Sequence, residues 1–82
     1  MEKRLEYFGK VIKVVTELMD VTDQEILGKS KSIEAVDARW MAIQLLKEKG
    51  IPTKSIAAMI CHPVRTINHA LAYFEDRFKY SN

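Results

Sequence analysis

The sequence has little of what stabilises or equips small proteins by means other than packing. Its 82 residues include one cysteine, Cys61, so an internal disulfide is excluded and a reducing compartment is indicated. The three glycines, Gly9, Gly28 and Gly50, stand alone and form no loop that cradles phosphate. No apolar run approaches the length of a membrane span, and no signal-peptide core follows the charged N-terminus. We therefore expect a cytoplasmic protein without a membrane partner.

Residues suited to metal binding or catalysis are equally sparse. Cys61, His62 and His69 are the only soft metal ligands, and they lack the paired spacing of a zinc site. Cys61 is better explained as a small residue packed in a turn. Asp37 with His69 would form an acid–base pair, but no pattern places the two in one pocket. The sequence therefore predicts no metal site, no cofactor and no enzymatic activity.

What the sequence contains throughout is helical periodicity. Its composition, with 48% apolar and 29% charged residues, is that of a globular domain and not of a disordered chain. No segment shows the alternation of a strand. Apolar stripes and capping residues place the first three helices at residues 3–19, between Thr22 and Gly28, and at about 33–49. We predict an all-α fold of about five helices in one domain, residues 1–82.

The first helix, residues 3–19, has an apolar stripe along its whole length. The stripe runs from Leu5 through Val15 to Met19 and is broadened by Leu18. Such a helix can close the core, or it can pair with a partner protein or a second copy. We expect it in the core, because a domain of this size needs all the burial it can obtain.

The third helix, residues 33–49, is apolar around most of its circumference, which predicts a place in the middle of the bundle. Arg39 is one of the few charges in its first half. Because it follows a basic loop at residues 29–31, we expect it to reach a phosphate or a base in the minor groove. The alternative is an ion pair with Glu34 or Asp37.

Two aromatic residues lie on apolar helical stripes. Trp40 belongs to the third helix, and Phe74 belongs to the last one. We expect both rings in the core and not in a platform on which bases stack.

The segment from Pro52 onward predicts a helix–turn–helix at residues 53–79. A short helix, expected to be capped by Thr53, is interrupted at residues 61–63. Pro63 suits the start of the longer helix that follows. In such a motif the second helix lies in the DNA major groove, with its first turns nearest the base edges.

The outward residues of those first turns are the candidates for reading bases. They are Val64, Arg65, Thr66, Asn68 and His69. Arginine can bond guanine bidentately, asparagine can do the same to adenine, and threonine or valine can touch a thymine methyl. The alternative is a helical hairpin whose outer face is simply polar.

Charge is distributed unevenly along the chain. Residues 29–65 contain seven Lys and Arg against three acidic residues, a balance of +4, whereas the remainder has a balance of −2. A basic excess around the motif is expected of a phosphate-binding surface, although an uneven solvated surface would also explain it. The residues predicted to contact the DNA backbone or minor groove are Lys29, Ser30, Lys31, Arg39, Thr53 and Lys54.

Two stretches, residues 35–43 and residues 65–70, resemble the C-terminal DNA-binding domain of the bacterial replication initiator DnaA. Ala-Val-Asp-Ala-Arg-Trp-Met-Ala-Ile is similar to the family's Val-Glu-Ala-Arg-Gln-Ile-Ala-Met stretch. Arg-Thr-Ile-Asn-His-Ala is similar to the end of its signature, Asp-His-Thr-Thr-Val-Leu-His-Ala. The likeness covers roughly residues 11–78 and implies a Trp-repressor-like helical cluster.

The resemblance also implies roles for individual residues. Arg39 matches an arginine of the family's central helix that contributes to DNA contact. Arg65 and Thr66 match the two threonines that face bases, and His69 matches a histidine of the family. Lys29, Lys31 and Lys54 match loops that approach phosphate.

The chain departs from the family where bases are read. Pro63-Val64 stands in place of Asp-His, so we expect a different DNA sequence to be recognised. The family's ATPase portion is missing, and we expect a free-standing module. The leading hypothesis is sequence-specific binding of double-stranded DNA by a nucleoid-associated transcriptional regulator or accessory replication factor, such as one from a mobile element. The alternative is a protein-interaction module that keeps the fold without binding DNA.

Overall fold

Five α-helices build the part of the chain that the structure describes. The computed structural model describes the backbone of residues 2–78 and the side chains of residues 3–78; Met1 and residues 79–82, which include the predicted end of the last helix, lie outside the described residues. The helices are α1 (Glu2–Met19), α2 (Asp23–Leu27), α3 (Ile33–Glu48), α4 (Thr53–Ile60) and α5 (Val64–Phe78). The described range contains no strand, so the predicted all-α fold is confirmed. None of these helices combines the length and the apolar character that crossing a membrane requires.

Local capping sets most helix ends where the sequence predicts them. In the capping box of α2, the Glu25 N–H donates to Thr22 Oγ1 at 3.1 Å and the Thr22 N–H donates to Glu25 Oε1 at 2.9 Å. Ser32 Oγ caps α3 by accepting from the Ala35 N–H at 3.2 Å. Gly50 follows α3 at a φ of 94°, a conformation that favours glycine. These ends depend on neighbours within four residues, and the sequence alone is enough to place them.

Two predictions around α4 are wrong. Thr53 is the first residue of α4 and not its N-cap. Pro52 occupies the N-cap position, one residue earlier, where its fixed φ is compatible with the start of a helix. Thr53 Oγ1 accepts instead from Lys47 Nζ at 3.3 Å. Cys61 is exposed and not packed, because it ends α4 in the left-handed conformation at a φ of 65°.

α3 occupies the centre of the bundle and packs against each of the other four helices. Ala38, Ala42, Ile43 and Leu46 on this helix are fully buried. The two alanines allow neighbouring helices to approach closely, and the larger side chains fill the space between them. The predicted central position of this helix is confirmed.

α1 packs mainly on α3 and α2, and its buried line is narrower than the predicted stripe. Val11 and Val15 are buried, whereas Leu5 is 63% exposed and Leu18 is 78% exposed. The core placement is therefore wrong for both leucines, because a helix on the outside of a bundle is covered along one face only.

Trp40 of α3 and Phe74 of α5 lie at the rim of the bundle, where each is half-buried. Trp40 packs against the core on one side, and the Arg77 guanidinium lies 5.2 Å from its ring centroid. Phe74 packs on Phe78 with ring centroids 4.6 Å apart. The placement of both rings in the core is therefore corrected to this rim.

Candidate nucleic-acid interface

The start of α5 is the candidate recognition surface. Ile67 and Ala70 are buried against the core and fix which face of the helix points outward. Pro63 opens the helix, and its carbonyl accepts from the N–H groups of Thr66 and Ile67 at 2.9 and 3.3 Å. The predicted base-reading residues that are exposed on this surface are Val64, Arg65, Asn68 and His69; Thr66 is half-buried. Arg65, Thr66 and His69 line one shallow depression.

His69 is held in place by aromatic neighbours. Its ring meets Trp40 of α3 edge to face, with centroids 5.6 Å apart, and lies 4.8 Å from the ring of Tyr73. Contacts of this kind orient a ring that would otherwise rotate freely in solvent. The geometry thus gives one predicted contact residue a fixed direction, which its sequence position does not reveal.

Arg39 does not lie at the surface, and the predicted DNA contact is wrong. The side chain is 5% exposed and faces four backbone carbonyls at the end of α2 and in the loop that follows. Arg39 Nε donates to Ile26 O at 2.7 Å. The Nη2 group donates to the carbonyls of Glu25, Gly28 and Ser30 at 2.8, 3.0 and 3.1 Å. The alternative ion pair with Glu34 or Asp37 is absent among these contacts.

Burial explains both why Arg39 bonds backbone carbonyls and why the predicted DNA contact is wrong. Desolvation lowers the pKa of its guanidinium, but arginine stays charged in proteins, so its donors need partners. The signal was present in the sequence, because Arg39 is four residues from both Ala35 and Ile43, on the buried face of α3. A lone charge on an apolar face points to the interior, where backbone carbonyls are the available acceptors.

Gly28 is the junction between this buried cluster and the turn at residues 61–63. Its carbonyl, which accepts from Arg39, also lies 2.8 Å from His62 Nε2, a bond across 34 residues of sequence. A Cβ at Gly28 would lie 2.7 Å from the Gln24 carbonyl oxygen, closer than real contacts allow. The sequence alone reveals neither the contact of His62 nor the steric need for this glycine.

The residues predicted to contact the DNA backbone differ in their exposure and in their hydrogen bonds. Lys29 and Lys31 are exposed, and the loop that carries them, residues 29–31, is anchored at both Gly28 and Ser30. Ser30 is half-buried, and its hydroxyl donates to Ser32 Oγ at 3.4 Å. Lys54 is exposed near the start of α4. Thr53, bonded by Lys47, lies beside it.

Asp37 is engaged in an ion pair with Arg77, which joins α3 to α5. Among residues 3–78 no three or more His, Cys, Asp or Glu side chains come together as a set that could hold a metal ion.

Comparisons with protein-family models, with curated proteins and with solved structures gave no match.

Proposed function

We propose that the protein binds double-stranded DNA, with the start of α5 in the major groove. The observation that carries the proposal is the anchoring of the basic 29–31 loop beside the turn that precedes α5. His62 belongs to that turn, and it shares the carbonyl of Gly28 with Arg39. Lys29 and Lys31 are thereby held near the N-terminal start of α5, where the outward side chains suit contact with base edges.

The residues divide the work of binding. Arg65, Asn68 and Thr66 offer side chains that match base edges, and Val64 can contact a thymine methyl. Lys29, Lys31 and Lys54 provide cations for phosphate, which position the protein without reading sequence. Arg39 is a positioning residue that holds the loop and touches no DNA. The resemblance of residues 35–43 and 65–70 to the initiator domain supports the same docking mode. It is compatible with a cytoplasmic transcriptional regulator or accessory replication factor.

A salt titration of binding to duplex DNA tests the proposal. The three exposed lysines assigned to phosphate, Lys29, Lys31 and Lys54, should give a slope of log K against log[salt] of about −3, since each phosphate contact contributes about −0.9. Replacing both Lys29 and Lys31 by Ala should make the slope shallower by about 2.

The matched control removes the same charge elsewhere. Lys3 and Lys13 are exposed on α1, which packs on α2 and α3 and not on the proposed interface. A Lys3→Ala/Lys13→Ala protein should keep the original slope. No binding at low salt, or equal effects of the two double variants, would contradict the proposal.

A protein-interaction module is the second candidate function. The observation in its favour is the apolar surface left open on α1, where Val14 is 45% and Leu18 is 78% exposed. In that case α1 contacts the partner, and duplex binding is undetectable at low salt.

A further inference from the structure

Tyr73 extends the outward surface of α5 beyond the residues predicted to read bases. It lies four residues after His69, which is about one helical turn, and it is 50% exposed. Its ring lies 4.8 Å from the His69 ring at a tilt of 45°, and the His69 ring in turn contacts Trp40. Tyr73 therefore belongs to the same surface as His69, and the contact between the two rings restricts its direction.

The distance of Tyr73 from the start of α5 corresponds to the edge of a major groove and not to its floor. Arg65 and Tyr73 are eight residues apart, which is about 12 Å along the helix axis. The major groove is about 8.5 Å deep, so a helix that enters it with its first turn has left the base edges by its third turn. Side chains of that third turn face the sugar–phosphate backbone, as the later turns of other recognition helices do.

We propose that the Tyr73 hydroxyl donates a hydrogen bond to a phosphate oxygen at the edge of the groove that holds the start of α5. The inference rests on the proposed binding of duplex DNA and adds a contact residue to the set predicted from the sequence. Tyrosine is among the neutral side chains that bond DNA phosphates. Because the ring already packs on His69, less side-chain freedom is lost when DNA binds.

The charges that follow Tyr73 mark the end of the surface that DNA can cover on α5. Glu75 and Asp76 are both exposed. Arg77, the next cation along the helix, is engaged in its ion pair with Asp37. Carboxylates repel phosphate, so contacts with DNA on α5 should end at Tyr73. A neutral donor is suited to this boundary between the basic and the acidic part of the helix.

Tyr73→Phe tests the contact, because it removes the hydroxyl and leaves the ring beside His69. Binding to a preferred duplex, selected from random sequences, and binding to random duplex should weaken by the same factor, about two- to tenfold, the size of one hydrogen bond. The slope of log K against log[salt] should stay that of the wild type, since a neutral group releases no counterion. This signature distinguishes Tyr73 from Lys29 and Lys31, whose removal makes the slope shallower.

Tyr7→Phe is the matched control. Tyr7 is half-buried on α1, with Lys49 Nζ 5.2 Å from its ring centroid, and α1 packs mainly on α2 and α3. Removing this hydroxyl should leave the affinity for both duplexes unchanged. Urea unfolding of the two variants checks that each still folds as the wild type does.

The wild-type titration separates failure of this inference from failure of the proposed function. Wild-type binding with the expected slope, together with unchanged affinity of Tyr73→Phe, would overturn the phosphate contact and leave the proposed function standing. If Tyr73→Ala then still weakened binding to the preferred duplex, Tyr73 would act only by orienting His69. A loss in Tyr73→Phe that is confined to the preferred duplex would overturn the phosphate contact in favour of a base contact. Absence of duplex binding by the wild type would overturn both proposals.

Discussion

Arg39 and Arg65 are the same residue type in opposite surroundings. From the sequence, both were predicted to contact DNA. In the structure Arg39 is 5% exposed and bonds backbone carbonyls at four positions, whereas Arg65 is exposed on the outer face of α5. A basic residue near a candidate motif is therefore not by itself evidence of phosphate contact. The helix face that carries it decides the role.

The two regions around these arginines also differ in the tertiary contacts that fix them. Near Arg39, the end of α2, the 29–31 loop and the turn before α5 all meet at Gly28. Near Arg65, the side chains face outward; the buried Ile67 and Ala70 fix the helix face, and ring contacts hold His69 alone. Changes in the first region should lower the free energy of unfolding, and changes in the second should lower affinity for DNA.

The largest effect is expected from Arg39. Arg39→Ala removes the donors of several part-buried carbonyls, and bonds to a charged group contribute about 1.5–3 kcal/mol each, so the loss should be about 3 kcal/mol or more. Arg39→Lys should recover little, because an ammonium does not reproduce the planar fork of donors. Urea unfolding measures the free energy. Arg65→Ala, the control, should change it by less than about 0.5 kcal/mol. Equal losses in the two alanine variants would remove the distinction between the regions.

The second-largest change in the free energy of unfolding is expected from Gly28. Gly28→Ala forces a Cβ against the Gln24 carbonyl, and such overpacking costs about 1–3 kcal/mol. Gly9→Ala is the matched change in open space, since no heavy atom lies within 4 Å of its added Cβ. It should stabilise α1 by about 1 kcal/mol, the difference in helix propensity. Thermal or urea unfolding of both variants should therefore give shifts of opposite sign, and a neutral Gly28→Ala would show that the junction relaxes easily.

The affinity effect of Arg65 distinguishes base reading from phosphate contact. Arg65→Ala should weaken binding to a preferred duplex, found by selection from random sequences, by about 1–3 kcal/mol and should weaken binding to random duplex clearly less. Lys54→Ala, on exposed α4 surface, should weaken both duplexes alike. Titrations of both variants on both duplexes measure the contrast. Equal losses for Arg65→Ala would reduce it to a phosphate contact.

The all-α class and nearly all helix ends of the described residues follow from the sequence alone. The capping box of Thr22 with Glu25, the Ser32 cap and the break at Gly50 follow from interactions within a few residues, which a linear pattern records fully. The outward direction of Arg65 and Asn68 could also be read from the spacing of Ile67 and Ala70.

Which face of each helix is covered depends on tertiary packing, which the sequence pattern does not show. Leu18 continues the apolar pattern of Val15, yet it is exposed because none of the described helices covers it. Arg39 and His62 converge on Gly28 from 11 and 34 residues away in sequence. Periodicity describes one helix at a time, whereas burial and hydrogen bonding depend on which distant element packs against it. For that reason the chain's pattern predicted its helices but not the anchoring of the 29–31 loop.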